Sequence, residues 1–127
     1  MEKEHWMKIK NHEKYWVSSW GRVYSTKSNQ LIMGYLHKSK GNTYRRVNLE
    51  NNKKYFIHVL VAEHFHFVQK AVMAFLFPDS HLIVEHLDTN TLNNNSNNTR
   101  WDTQSNNIKL AHARHPKNIF DEVGELV

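Results

Sequence analysis

The chain has 127 residues and a formal charge of +5, with ten further histidines, and it is 39% hydrophobic and 12% aromatic. This length suits one domain, or two small modules sharing a core, and the apolar content supports a packed interior. The absence of cysteine excludes disulfides, thiolate zinc sites and a cysteine nucleophile. The modest excess of positive charge favours an anionic partner, above all nucleic acid, without establishing one.

The sequence shows no sign of a membrane or secreted protein. No apolar run approaches the roughly 20 residues of a membrane span. The N-terminus reads Met-Glu-Lys-Glu-His-Trp, with acidic residues and no apolar segment after them, which argues against a secretory signal. We therefore expect an intracellular protein with no membrane partner.

The first half of the chain is predicted to form short strands. Runs rich in aromatic and β-branched residues are separated by turn residues such as Gly21 and Gly34. The runs are Tyr15–Val17, Arg22–Ser25, Leu31–Met33, Tyr44–Leu49 and Lys54–Ile57. From His58 the apolar period changes to three and four residues, which predicts a helical face ending near Phe77, before Pro78. That face consists of Leu60, Val61, Phe65, Val68, Val72 and Phe75. One helix and two helices are both compatible with the pattern.

The last part of the chain is predicted to contain a hairpin and a helix. In order it contains a strand at His81–His86, an asparagine-rich loop at 88–98, a short strand at Arg100–Asp102, a helix from Thr103 to about Arg114, and a tail after Pro116. If the helix folds across the hairpin, Glu85, His86 and Asn107 converge. A carboxylate and an amide oxygen suit magnesium or manganese, and a histidine can take a proton from an attacking water. Phosphodiester hydrolysis is therefore feasible.

At these residues the sequence resembles a known family. Val84–Asn94 (VEHLDTNTLNN) and Asn98–Asn107 (NTRWDTQSNN) resemble the HNH module of phage and intron-encoded homing endonucleases. Upstream, Tyr15–Ser25 (YWVSSWGRVYS) is similar to the small domain that often precedes this module. Ile57–Phe65 (IHVLVAEHF) is similar to the family's next helix start. The three segments occur in the family's order and cover most of residues 6–112.

The resemblance implies roles for individual residues. His86 falls on the general base that activates water, and Asn98 on the asparagine that ties the loop together. Glu85 and Asn107 fall on the ligands of one divalent metal, Mg²⁺ or Mn²⁺, with Asn106 as the alternative if the register slips by one. The metal would stabilise charge on the leaving oxygen of the scissile phosphate.

The sequence also departs from the family's pattern. Thr89 stands where a glycine is expected, in a turn for which positive φ would strain threonine. Thr99 replaces a leucine and Asp102 a valine, which removes apolar contacts, and Val59 replaces an arginine. We expect the fold to tolerate these departures better than the activity.

Basic side chains are candidates for contacts with double-stranded DNA, although they are also compatible with an ordinary solvated surface. They are Arg22, Arg45, Arg46, Lys53, Lys54 and Arg100. His58 is expected to pack between the helix and the module, and Trp101 to lie on the second strand of the hairpin as structural support. The spacing of His58, His64 and His66 suits no common zinc ligand set.

These observations predict an α+β protein with a small antiparallel sheet, a connecting helix and a ββα-metal module. The expected division is a β-sheet domain at 1–57, a helical segment at 58–80, the HNH module at 81–115 and a tail at 116–127. The expected function is metal-dependent DNA cleavage, with nicking of one strand. Two alternatives stay open: a DNA-binding protein that kept the fold without cleavage, and an assembly protein that self-associates through Val68–Phe77.

Overall fold

The computed structural model describes residues 2–104. It shows the predicted α+β class, with small antiparallel sheets and two helices. The predicted helix beyond Gln104, with Asn106 and Asn107, and the tail at 116–127 lie outside the described residues.

The N-terminal half forms two antiparallel sheets where the sequence predicts one. The first contains, in spatial order, β1 (Trp6–Ile9), β2 (His12–Ser18), β3 (Val23–Ser25) and β4 (Gln30–Ile32). The second contains β5 (Tyr35–Ser39), β6 (Asn42–Asn48) and β7 (Lys54–Phe56), with a 3₁₀ turn at Glu50–Asn52 before β7. The prediction missed β1 and β5, the edge strands that begin each sheet. Both are largely exposed or half-buried, so their sequences lack a clear apolar alternation.

Two helices follow, α1 (Ile57–Phe65) and α2 (Phe67–Leu76), bent by 85° relative to each other. The break falls at His66, whose φ of −129° and ψ of 36° are not helical. The end of α2 at Leu76, ahead of Pro78, agrees with the predicted stop. Within residues 2–104 no single helix has the length and apolarity to span a membrane, and the bent pair meets that test only when taken together.

The predicted single apolar face across both helices is wrong. Leu60 and Val61 are buried, but the bend turns Val68, Val72 and Phe75 outward. Seven side chains of α2 are exposed and all are apolar: Phe67, Val68, Ala71, Val72, Ala74, Phe75 and Leu76. Met73 on the opposite side of α2 is fully buried, so only a narrow stripe of this helix meets the core.

The chain then forms the predicted hairpin, with β8 (Leu82–His86) and β9 (Thr99–Thr103) antiparallel. The loop between them closes with a 3₁₀ turn at Ser96–Asn98, capped by the Asn95 side chain. Trp101 of β9 is buried, and its indole Nε1–H donates to the Ala62 carbonyl oxygen of α1 at 3.2 Å. The hairpin is thereby fastened to the first helix.

Helix α1 joins two apolar clusters into one interior. Its Ile57, Leu60 and Val61 pack with buried side chains of both N-terminal sheets, while Ala62 packs with Met73 and Trp101. A helix permits this, because side chains on different sides of α1 face different partners. The N-terminal sheets and the hairpin are therefore held at a fixed distance by one short helix.

Candidate active site

The strand register of the hairpin determines the directions in which its candidate catalytic side chains point. Glu85 pairs with Arg100, and His86 pairs with Thr99 at the end of β8. Because neighbouring side chains on a strand point to opposite faces, Glu85 and His86 face opposite sides of the hairpin. Asn107, predicted to converge with them, lies outside the described residues.

His86 is held by an asparagine of the loop. Its ring Nε2 lies 2.9 Å from Oδ1 of Asn94, which is itself buried. An amide oxygen only accepts hydrogen bonds, so Nε2 carries the hydrogen and Nδ1 carries the lone pair. The loop therefore selects the tautomer in which Nδ1 can accept a proton.

The ring of His86 also contacts an aromatic cluster of the N-terminal half. Its centroid lies 4.8 Å from that of His58 and 6.3 Å from that of Tyr44 on β6. His58 is buried, with Nδ1 unpaired among the described residues. Burial first, and the nearby His86 second, lower the pKa of His58 to about 3. His58 therefore stays neutral beside His86 throughout the working pH range.

The asparagine-rich loop is ordered by its own side chains. Asn98 is buried; its Nδ2 donates to Oδ1 of Asp88 at 2.9 Å and to the Asn93 carbonyl at 2.8 Å. Its Oδ1 accepts from the Asp88 backbone N–H at 3.0 Å. Hydrogen bonds from the Asn93 side chain, the Asn90 backbone and the Asn98 side chain hold the pKa of Asp88 below its ordinary value.

The same loop is docked on the N-terminal sheets. The Ser96 N–H donates to the Ser19 carbonyl at 2.7 Å, and the Thr91 hydroxyl donates to the Thr43 carbonyl. The ring of His66, at the bend between the helices, lies 2.6 Å from the Ser96 carbonyl oxygen. Contacts from both sheets and the helical bend therefore set the position of the loop relative to β8.

On the other face of the hairpin, Glu85 is engaged by Arg100. The guanidinium contacts the Glu85 carboxylate through Nε and Nη2, and Nη2 lies 3.2 Å from Oδ2 of Asp102. Arg100 is 5% exposed and Asp102 is fully buried. This position does not support the expected DNA contact of Arg100, because its charged group is turned inward to two carboxylates.

The departures from the family pattern have local structural solutions. Thr89 adopts φ of 64°, the left-handed conformation for which glycine is preferred. Thr99 is buried, and its hydroxyl donates to the Ser96 carbonyl at 3.3 Å. Asp102 accepts from the Thr103 N–H at 2.7 Å as well as from Arg100. Thr99 and Asp102 therefore make hydrogen bonds at positions where the family pattern has apolar side chains.

The other basic residues predicted to contact DNA lie on different surfaces of the protein. Arg22 pairs with Glu4, which lowers the pKa of that carboxyl. Pairing of β5 with β6 places Arg45 and Arg46 on opposite faces of the second sheet. Arg46 lies 4.9 Å over the Phe56 ring, and Arg45 donates to the Met33 carbonyl. Two further cations, Lys53 and Lys54, are exposed.

Sequence reasoning missed Asn94 as the partner of His86. The available signal is the pair Asn93–Asn94 within the quoted motif, which by itself indicates only a loop. Tyr44 was also missed, because nothing in the sequence shows that the start of β6 lies near the hairpin.

A divalent metal is compatible with the described residues. Glu85 supplies hard carboxylate oxygens of the type that Mg²⁺ and Mn²⁺ prefer, and Arg100 holds that carboxylate in one orientation. Within residues 2–104 no three His, Cys, Asp or Glu side chains cluster as a ready-made metal site. The predicted set of one carboxylate, one amide and a substrate phosphate does not require such a cluster.

Replacing Arg100 with methionine should destabilise the fold. The change leaves the buried Asp102 carboxylate without its guanidinium, so we expect the free energy of unfolding in urea to fall by about 3 kcal/mol. Arg45→Met, on a sheet face, should change it by less than about 1 kcal/mol. The double change Arg100→Met with Asp102→Val should recover part of the loss. Equal effects of Arg100→Met and Arg45→Met would show that the buried pairing is unimportant.

The pKa of His58 makes stability depend on pH. In the unfolded chain His58 has a pKa near 6.5, and in the folded chain about 3. Protonation therefore favours the unfolded chain, and stability is lost as the pH falls below 6.5. Between pH 8 and pH 5 the wild type should lose about 2 kcal/mol more than His58→Leu, measured by urea unfolding at each pH. Parallel losses in the two proteins would contradict this burial of a neutral ring.

Comparisons with known proteins show similarity to endonucleases. The NUMOD4 motif matches residues 4–50. The chain is 34% identical over 118 residues to DNA endonuclease I-HmuI of Bacillus phage SP01, covering 90% of this chain and 61% of that protein. It is 32% identical over 116 residues to the uncharacterized HNH endonuclease L245 of Acanthamoeba polyphaga mimivirus, covering 91% of this chain and 32% of that one.

A solved structure is also similar. It is described as "DNA binding and cleavage by the HNH homing endonuclease I-HmuI"; it matches with a TM-score of 0.66 and 31% identity, over 96% of this chain and 65% of that one. The chain thus spans less than two thirds of the length of each of these relatives. Motif, sequence and fold agree with the resemblance found in the sequence: over nearly its whole length the chain is similar to HNH homing endonucleases.

Proposed function

We propose that this chain is a DNA endonuclease of the HNH type that uses one Mg²⁺ or Mn²⁺ ion to nick one strand of double-stranded DNA. The observation that carries the proposal is the hydrogen bond from His86 Nε2 to Asn94 Oδ1 at 2.9 Å. It prepares a histidine base at the position where the family's motif has one. The HNH and endonuclease names of the relatives support the same reaction class.

In this reaction His86 acts as the general base. Its Nδ1 lone pair accepts a proton from the attacking water, and Asn94 stabilises the resulting imidazolium through the Nε2–H. His58 cannot compete for that proton, since its pKa of about 3 keeps it neutral. Asn98 contributes indirectly, because its three hydrogen bonds fix the loop from which Asn94 projects.

The proposed metal ligands are Glu85 and Asn107. Bound there, the ion would supply positive charge that stabilises the leaving oxygen of the scissile phosphate. For Arg100 we now propose a positioning role, since its guanidinium holds the Glu85 carboxylate and is itself held by Asp102.

The substrate is proposed to lie along one face of the second sheet. Register places Tyr44, Arg46 and Lys54 on this face, and the Tyr44 ring leads to His86. Cations along such a face can bind successive phosphates and guide one strand to the histidine. Arg45 lies on the opposite face, so we expect it to contribute less to DNA affinity than Arg46.

The proposed division of labour follows the expected boundaries. Residues 1–57 would contact DNA and 81–115 would cut it, with 58–80 connecting them. Both relatives come from viruses, a phage and a mimivirus, so we propose that the chain acts on DNA inside an infected cell. The exposed apolar face of α2 leaves self-association as the second candidate role.

The direct test is cleavage of supercoiled plasmid with Mg²⁺, with Mn²⁺ and with chelator. We expect metal-dependent conversion to open circles. His86→Ala should slow it by about 10²–10⁴-fold, because the base is removed. His81→Ala, an exposed histidine just before β8, is the matched control and should cut at the wild-type rate. Light scattering of the same preparations reports the oligomeric state.

Other outcomes would replace the proposal. Plasmid retardation on a gel without conversion would favour the binding-only alternative. A stable dimer with neither retardation nor conversion would favour assembly through α2. Equal loss of activity in His86→Ala and His81→Ala would remove His86 from its assigned role.

A further inference from the structure

We propose that the turn Ser18–Arg22 of the first sheet is a positioning element of the active site, because its Gly21 supports Asn94 and Asn94 holds His86. The proposal rests on the proposed function only in that His86 is taken as the base. It gives the N-terminal motif a role in catalysis in addition to any contact with DNA.

The turn has the rigidity that such a role requires. The Ser18 N–H donates to the Arg22 carbonyl at 2.8 Å, and the Gly21 N–H donates to the Ser18 carbonyl at 3.0 Å. The fully buried Ser18 hydroxyl accepts from the backbone N–H groups of Trp20 and Arg22 at 3.1 and 3.0 Å. Backbone and side chain of one residue thus close the turn from both sides.

The turn touches the loop backbone to backbone. A Cβ placed on Gly21 would lie 2.7 Å from both Cβ and the carbonyl oxygen of Asn94, closer than van der Waals contact allows. Two residues later in the loop, the Ser96 N–H donates to the Ser19 carbonyl at 2.7 Å. Any side chain at position 21 must therefore push Asn94 away or open the turn.

Movement of Asn94 reaches His86 directly. Asn94 is buried, and its Oδ1 is the partner of His86 Nε2 at 2.9 Å. A hydrogen bond weakens steeply with distance and angle, so a small displacement releases the ring from its tautomer and orientation. Small misplacements of catalytic groups lower turnover by as much as about 10²-fold.

A second glycine provides a matched control. Gly41, in the β5–β6 turn, has the same φ of +83° as Gly21, but a Cβ placed on it would have no neighbouring atom within 4 Å. Gly41→Ala therefore imposes the same backbone strain without the clash. The difference between Gly21→Ala and Gly41→Ala isolates the contact with Asn94.

The kinetic experiment uses the full chain and plasmid nicking. We expect Asn94→Ala and Gly21→Ala each to lower kcat by about 10- to 100-fold with KM within about twofold, because His86 is misplaced while DNA contacts persist. Gly41→Ala should stay within about twofold of wild type. Adding Gly21→Ala to Asn94→Ala should cause little further loss, since the two act through one hydrogen bond. Independent, multiplicative losses would overturn the proposal.

A spectroscopic readout separates this proposal from the nuclease proposal. In ¹⁵N-labelled protein at alkaline pH, the wild-type His86 ring should show a single tautomer with hydrogen on Nε2. Gly21→Ala and Asn94→Ala should shift it to a mixture, and Gly41→Ala should not. Unchanged ring signals in Gly21→Ala would overturn the proposal whether or not the protein cuts DNA. If the ring signals shift in this way but the wild-type protein does not cut DNA, the support of His86 by the turn is retained. Only the assigned reaction is then refuted.

A milder variant covers the case in which Gly21→Ala does not fold. Ser96→Pro removes the N–H that donates to Ser19, together with the serine hydroxyl, at the first position of a 3₁₀ turn where proline is tolerated. It should shift the His86 ring signals in the same direction and lower kcat severalfold. Wild-type signals and wild-type kcat in this variant would count against the turn as a support.

Discussion

The segment 88–98 contains almost no apolar side chain that could anchor it, yet it must hold Asn94 at a fixed place beside His86. It achieves this through hydrogen bonds: side chains of the segment bond its own backbone, and carbonyl oxygens of Ser19 and Thr43 accept from its outer edge. Buried amides must find such partners, because an unpaired polar group inside a protein is costly. The geometry of the candidate active site depends on this docking.

Helix α1 is what makes the docking possible. Its Ile57 and Val61 belong to the apolar cluster of the N-terminal sheets, and its Ala62 packs with Trp101 of the hairpin. With one helix in both clusters, the sheets and the hairpin cannot shift relative to each other without opening a packed interior. The loop therefore keeps a fixed position against the N-terminal turn, and the surroundings of His86, the proposed base, come from distant parts of the chain.

The sequence was most informative where local chemistry decides structure. The hairpin around His86 and Asn98 and the stop before Pro78 were predictable, because turn residues, motif spacing and proline act over a few residues. The family motif also predicted that Glu85 and His86 lie at the end of a strand and that Asn98 lies in the loop after it. The bend at His66 was not predictable, since an unbroken apolar period continued through it while only tertiary packing decided which side chains faced the core.

Other features depended on pairing that no local pattern reveals. The edge strands β1 and β5 bury too few side chains to show an alternating apolar pattern. The sequence therefore predicted one sheet where there are two. Arg100 looked like a DNA contact because isolated cations usually face solvent, but Asp102, which replaces an expected valine, gives it a buried partner. Asn94 became recognisable as the partner of His86 only once the loop was folded back on β8.

Native-state hydrogen exchange at the Ser96 amide tests whether the N-terminal turn and the loop form the site together. This N–H donates to Ser19 across the interface at 2.7 Å. The Leu92 N–H, which donates to the nearby Asn90 side chain on an exposed part of the loop, serves as reference. We expect Ser96 to exchange as slowly as core amides such as that of Val17, and far more slowly than Leu92. Equal, fast exchange of Ser96 and Leu92 would show a loop that is free of the N-terminal sheet and contradict the shared active site.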